Sequence, residues 1–375
     1  MDEPRKIVLI LGNGFDLDLG FKTSYKSFWK SEFCPRDYPS PLIDYLNGQL
    51  GQTIDNVRWY DLENSFLRYY RTVVQQRGHV ELSGAEKRFI KEFDPNTPDR
   101  GCYYEYAETI DSLITKGFVC TQPMRPDILS IPYQEDLLHD SVWRDKEALR
   151  KIKEGLCEYL KTIRIHTANK DSVAYLILLA VFNSADAGDF VSIYSFNYTP
   201  VPVFPFKRKN MSIHHVHGSC ADGKIIVGTK DDLMINKDYD FLLKSMDPSF
   251  NPPDLVMDLL EADEVIIFGH SLGENDRQYF ESFFKERVDY LHPSKKSITI
   301  FTLNIDSEME IKRSLQKMTD GRLSVLYSMS KPHIIKTANL NDDSEALYNY
   351  LSDHHLDPRY VRDSIGKIIS SLSES

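Results

Sequence analysis

The sequence predicts an α/β protein built on a mostly parallel sheet, and three observations carry that prediction. Ile7-Val8-Leu9-Ile10-Leu11 is apolar on every side and too short for a free-standing helix, the pattern of a strand covered on both faces. It ends abruptly in Gly12-Asn13-Gly14, where two missing Cβ atoms let a ligand sit against the main chain. Far along the chain, Val265-Ile266-Ile267-Phe268 repeats the doubly apolar pattern. Tyr279, Phe280, Phe283, Phe284 and Val288 then mark one stripe of a helix, and Ser297 to Leu303 reads as the next strand. A strand–helix–strand unit of this kind belongs to a parallel sheet, so the fold expected is Rossmann-like.

Between these ends the elements follow in order. Thr23-Ser24-Tyr25 leads into a short helix, Tyr25 to Lys30. From Cys34 to Ala187 the signals are mainly helical, interrupted by proline-bearing loops, with amphipathic or apolar segments at Leu62 to Val74 and Ala174 to Phe182. Strand signals return at Phe190 to Phe196, Ser212 to Val216 and Ile225 to Val227. The expected organisation is a nucleotide-binding core from residues 1–33 and 188–335, a large helical insertion at 34–187 after the first strand, and a C-terminal helical segment at 336–375 that packs on the core.

Composition narrows the function. The chain has 375 residues, 21 Tyr and 20 Phe, enough apolar material for a sizeable core. A formal charge of -11 argues against a broad nucleic-acid footprint, which wants a basic surface. Cys34, Cys102, Cys120, Cys157 and Cys220 are scattered and form no C-x-x-C pair, which speaks against a zinc ribbon and for a reducing compartment. With no signal-peptide pattern ahead of the first strand and no run of about 18 apolar residues, a cytoplasmic location without membrane contact is expected.

The chemistry gathers at strand ends. Phe190 to Phe196 runs into Asn197-Tyr198-Thr199; Ser212 to Val216 into His217-Gly218-Ser219; Ile266 to Phe268 into Gly269-His270-Ser271-Leu272-Gly273-Glu274-Asn275-Asp276; and Thr299 to Leu303 into Asn304. Ligands of open α/β sheets sit at the carboxyl ends of strands, so these four polar clusters, with Gly12-Asn13-Gly14 after the first strand, predict one shared site. His214, His215 and His217 suggest a metal, but in a strand His214 faces away from the other two and no third ligand has usable spacing, so no metal is expected. Asp16 fits a helix N-cap as well as a ligand contact, and Asn197 before Pro200 fits a turn. Asn275 with Gln278 fits a capping pattern, with Asp276 expected both to cap and to contact ligand.

The ordered set GNGFD, W-x-D-L-E, S-F-N-Y-T, H-V-H-G-S and G-H-S-L-G-E-x-D, from Gly12 to about Asn304, resembles the AbiH family of bacterial abortive phage-infection proteins. The later motifs are more distantly similar to the sirtuin-like NAD-binding fold of other phage-defence proteins. The first resemblance implies antiviral growth arrest, with a phage-derived trigger and a homo-oligomer as candidate partners. The second implies that NAD or a related nucleotide is bound and hydrolysed, with Asn197 and His217 catalytic. Cofactor contacts would come from Gly12, Asn13, Gly14, Phe15 and Asp16, and from Gly218, Gly269, Ser271, Leu272, Asp276 and Asn304. The glycine loop is GNGF rather than G-x-G-x-x-G, which disfavours a dehydrogenase, and the missing cysteine zinc site disfavours deacylation. In the W-x-D-L-E element, Trp59, Asp61 and Glu63 are expected to be structural, a carboxylate reaching a loop or an arginine.

Two other classes compete. Gly269-His270-Ser271-Leu272-Gly273 also fits the nucleophile elbow of a serine hydrolase, with Asp306 and His333 downstream in the required order. A non-catalytic nucleotide sensor, its insertion binding a partner, is the third reading.

Overall fold

A computed structural model of the chain describes residues 4–51, 62–74, 83–92, 108–109, 112–113, 120–122, 125–130, 137–186, 188–202, 210–231, 235–289, 296–338 and 340–374. The chain divides into two compact units: residues 1–31, 156–226 and 248–375 in one, and 32–155 with 227–247 in the other.

The first unit holds a six-stranded sheet. Its strands are β1 (Lys6–Leu11), β2 (Phe190–Ser195), β3 (Met211–His215), β4 (Glu264–Phe268), β5 (Ser297–Thr302) and β6 (His333–Lys336). They lie in the order β6-β5-β4-β1-β2-β3, and every neighbouring pair is parallel. This is the doubly wound order of dinucleotide-binding sheets, with two three-strand halves that meet at β1 and β4. The sequence-derived strands fall within a residue or two of these bounds, whereas β6 is an addition: four residues after Pro332 give too short a run to read.

Alternation along the strands divides the core into two layers. Ile7, Leu9 and Leu11 face one side with Val191, Ile193, Ile266, Phe268 and Phe301. That side is covered by helices α2 (Val173–Ser184), α6 (Leu340–Asp353) and α7 (Pro358–Glu374), and Phe15 of the short helix α1 (Asn13–Asp18) joins it. Val8 and Ile10 face the other side with Val265, Ile267, Ile298 and Ile300, under α3 (Leu255–Glu261), α4 (Arg277–Glu286) and α5 (Ile305–Met318). The aromatic stripe of α4 is buried as the period predicts. The expected C-terminal helices pack on the core through Leu347, Leu351, Val361 and Ile365.

Helix α2, read from sequence as part of the insertion, belongs to this core. It is apolar on all sides and nine of its residues are buried, which suits a helix inside a layer rather than at a surface. Asp18 accepts the Ala174 amide at 2.7 Å and so caps α2 from a distant part of the chain.

The second unit contains helices Pro41–Gly51, Leu62–Tyr69 (continuing as a π turn to Val74) and Gly84–Glu92, and the antiparallel pair Cys120–Gln122 and Arg125–Ser130. Its buried polar centre is Asp145, fully inaccessible. Asp145 accepts from Ser40 Oγ at 2.9 Å, the Leu42 amide at 3.0 Å, Tyr239 Oη at 3.1 Å and Tyr69 Oη. Glu63 pairs with Lys244 at 2.8 Å, so the cation it meets is a lysine. Trp59 and Asp61 lie outside the described residues.

Candidate functional site

The carboxyl ends of β1, β2, β4 and β5 are stitched together before any side chain is considered. Gly12 N–H donates to Phe268 O at 2.9 Å, Gly14 N–H to Gly269 O at 3.0 Å, Phe196 N–H to Leu11 O at 2.8 Å and Gly269 N–H to Phe301 O at 2.9 Å. The β1 and β4 loops touch backbone to backbone. A Cβ on Gly12 would lie 2.5 Å from His270 Cα and 2.6 Å from Gly269 O; one on Gly14 would lie 2.7 Å from Gly269 Cα. The space expected for a ligand beside these glycines is therefore filled by Gly269 and His270. Gly218 is similar: with φ +77, its Cβ would meet Lys224 O at 1.9 Å, so the glycine serves the Gly218–Ser219 and Lys224–Ile225 hairpin. Among the described residues, the Asn13 amide has no hydrogen bond and is the donor left at the glycine turn. Asn13 Oδ1 accepts from Thr23 Oγ1 at 2.7 Å.

Two polar groups rise above this floor. The first is Asp16 with Asn197 and Thr199, all buried. Asn197 Nδ2 donates to Asp16 Oδ1 at 2.9 Å and to Gly12 O at 3.0 Å, while Thr199 Oγ1 donates to Asp16 Oδ2. Asp16 is inside α1 rather than at its cap, which is Gly12. Burial raises the Asp16 carboxyl from the ordinary 3.8 to about 7, against the lowering effect of the bonds from Thr199 and Asn197. Asp18 is likewise raised, to about 6, by burial against the α2 amides it accepts.

Folded Asp16 keeps its proton to about pH 7 while an unfolded aspartate releases it near pH 4, so the native state binds more protons across that window and stability falls as pH rises through it. Asp16→Asn is expected to remove about 2 kcal/mol of that fall between pH 5 and pH 7. Urea midpoints of both proteins at the two pH values check this; equal slopes would contradict it.

The second group is a carboxylate between two imidazoles. His217 Nε2 donates to Asp276 Oδ1 at 2.8 Å, and His270 Nε2 faces Asp276 Oδ2 at 3.4 Å. The Leu272 amide donates to His270 Nδ1 at 3.0 Å, which fixes the tautomer that puts the His270 proton on Nε2. Phe196 backs both rings, with centroids 4.3 Å from His270 and 5.4 Å from His217. His217 is 4 % exposed and its Nδ1 is buried, so the partly open member of this group is Asp276, whose side chain is 17 % exposed. Asp276 occupies the cap position of α4 without a side-chain capping bond, and the cap expected of Asn275 is not formed. His215 Nδ1 bonds Asn197 O at 2.9 Å, and His214 stacks on Tyr194 at 4.9 Å. The three neighbouring histidines thus face three different partners. Among the described residues, no group of three or more His, Cys, Asp or Glu side chains is placed to hold a metal ion.

Asn304 caps α5: its Oδ1 accepts the Ser307 amide at 3.0 Å and Ser307 Oγ at 3.2 Å, leaving Nδ2 without a bond among the described residues. Ser271 is exposed and makes no hydrogen bond among them. The left-handed non-glycine residue of this loop is Leu272, φ 52, whereas a nucleophile elbow strains the serine itself. His333 pairs with Thr299, which pairs with Ile266, so it lies level with a point five residues before Ser271. Asp306 is exposed in the first turn of α5. The serine-hydrolase arrangement is not assembled. Thr199 and His270 are the site members that sequence reading did not single out; both stood inside the quoted motifs, S-F-N-Y-T and G-H-S-L-G.

A doubly wound α/β sheet with a buried amide–carboxylate cluster and a histidine–carboxylate cluster at its carboxyl edge defines the class. The family described as bacteriophage abortive infection AbiH matches residues 8–292, and the chain belongs to that family. Its role is accordingly one of abortive-infection defence against phage. No curated protein and no solved structure matches the chain. Among the described residues no helix is long and apolar enough to cross a membrane.

Proposed function

We propose that this AbiH-family protein binds NAD or a related nucleotide across the carboxyl edge of the sheet and hydrolyses NAD to nicotinamide and ADP-ribose, in response to a phage-derived trigger. The observation that carries the reading is the meeting of Asn197, Asp276 with His217, and the glycine turn at the switch point between β1 and β4, where doubly wound sheets take dinucleotides. Loss of nicotinamide leaves an oxocarbenium-like ribosyl centre, to which water adds with release of one proton. The proton-accepting unit is Asp276 backed by His217; Asn197 holds the water or a ribose hydroxyl; the Asn13 amide meets the pyrophosphate.

The test is nicotinamide release from NAD by purified protein and, because the trigger is part of the reading, the NAD content of phage-infected cells that express it. Release or NAD depletion that is lost in Asn197→Ala, and not abolished in Ser271→Ala, is the expected result. Intact NAD in both settings overturns hydrolysis. The burial of His217 favours a second reading, binding without turnover, and NAD binding with no release in either setting would establish that nucleotide-sensor role.

A further inference from the structure

Asn197 is presented with a defined orientation. Both hydrogens of its Nδ2 are committed, one to Gly12 O at 3.0 Å and one to Asp16 Oδ1 at 2.9 Å. A flipped amide would set Oδ1 against those same two oxygens, so the flip is disfavoured by both. Asp16 is held in turn by Thr199 Oγ1 on its other oxygen. No donor among the described residues reaches Asn197 Oδ1, and that atom is not sealed from solvent. Asp16, only 3 % exposed with both oxygens engaged, has little left to offer a ligand.

We propose that Asp16 and Thr199 are positioning residues that lock the Asn197 amide with Oδ1 outward, making Asn197 an acceptor-only contact whose ligand atom is a hydroxyl group or water. The proposal rests on the reading that this edge takes a ribosyl nucleotide, and it assigns the contact to a ribose hydroxyl or the attacking water rather than to phosphate, which has no proton to give at neutral pH. The lock holds in either charge state of Asp16. With a proton on Oδ2, the carboxyl donates to Thr199 Oγ1 while Oδ1 still accepts from Asn197. Asp16→Asn can reproduce the lock, its Oδ1 accepting from Asn197 and its Nδ2 donating to Thr199; Asp16→Ala and Thr199→Val cannot.

Two readouts test this. In protein labelled with 15N at asparagine, both side-chain amide protons of Asn197 are expected to exchange slowly in the unmodified protein and in Asp16→Asn. Faster exchange is expected in Asp16→Ala and in Thr199→Val, the latter keeping the volume of the threonine. In nicotinamide release, Asp16→Ala is expected to lower kcat about tenfold to a hundredfold with KM changed less than about threefold, and Asp16→Asn to restore it. Asn197 side-chain protons that exchange in the unmodified protein as freely as those of an exposed asparagine overturn the lock, even if NAD is cleaved. Slow exchange in a protein that neither binds nor cleaves NAD keeps the lock and sinks the NAD reading.

Discussion

Gly269→Ala is expected to cost about 3 kcal/mol or more of unfolding free energy, at or beyond the top of the usual span of about 0.5–3 kcal/mol for point substitutions. Gly269 has φ +64, and a Cβ there would lie 2.4 Å from Phe15 N and 2.5 Å from Gly14 C and Cα. The obstacle is main chain on both sides, already fixed by the Gly14-to-Gly269 and Gly12-to-Phe268 hydrogen bonds. Gly20 separates the two contributions, since it has φ +86 and nothing within 4 Å. Gly20→Ala should therefore show the left-handed penalty alone, about 1 kcal/mol. Chemical denaturation of the two variants is the measurement; equal losses would mean that the loops separate easily and that their contact is incidental.

The histidine–carboxylate group gives the second large effect. His217→Ala and Asp276→Ala are each expected to lower nicotinamide release by about 10²- to 10⁴-fold, the usual worth of positioned proton transfer. The double variant should be little worse than either single one, because Asp276 Oδ1 and His217 Nε2 form one unit 2.8 Å apart. Multiplying losses would show separate tasks. His270 is the internal comparison: at 3.4 Å from the other carboxylate oxygen, it supports Asp276 without sharing the shorter bond.

The strands were legible where their signal was local. β1 and β4 are apolar on both faces and end in glycine, and both observations sit within a dozen residues. The purpose of the glycines was not local. Gly12 is narrow because Gly269 lies against it, and nothing near either position announces a neighbour more than 250 residues away in the chain. The same holds for Asp16, which from sequence fits a cap or a ligand contact, both short-range readings, although its partners Asn197 and Thr199 belong to the end of β2. Helix α2 looked like insertion because an all-apolar helix carries no mark of the layer it joins. Polar clusters at strand ends did point to one edge, since a parallel sheet brings all carboxyl ends to the same side whatever the strand order.

The place of β1 in the middle of the sheet has a consequence for the growing chain. Its partners are Phe190–Ser195 on one side and Glu264–Phe268 on the other. At about 5–20 residues per second the first of them emerges roughly 180 residues, or about 10–40 s, after β1 has been made. Throughout that interval a fully apolar segment stands with both hydrogen-bonding edges open, a template for any other strand in reach. During synthesis the stretch that later anchors the site is one that gains from shielding by a chaperone.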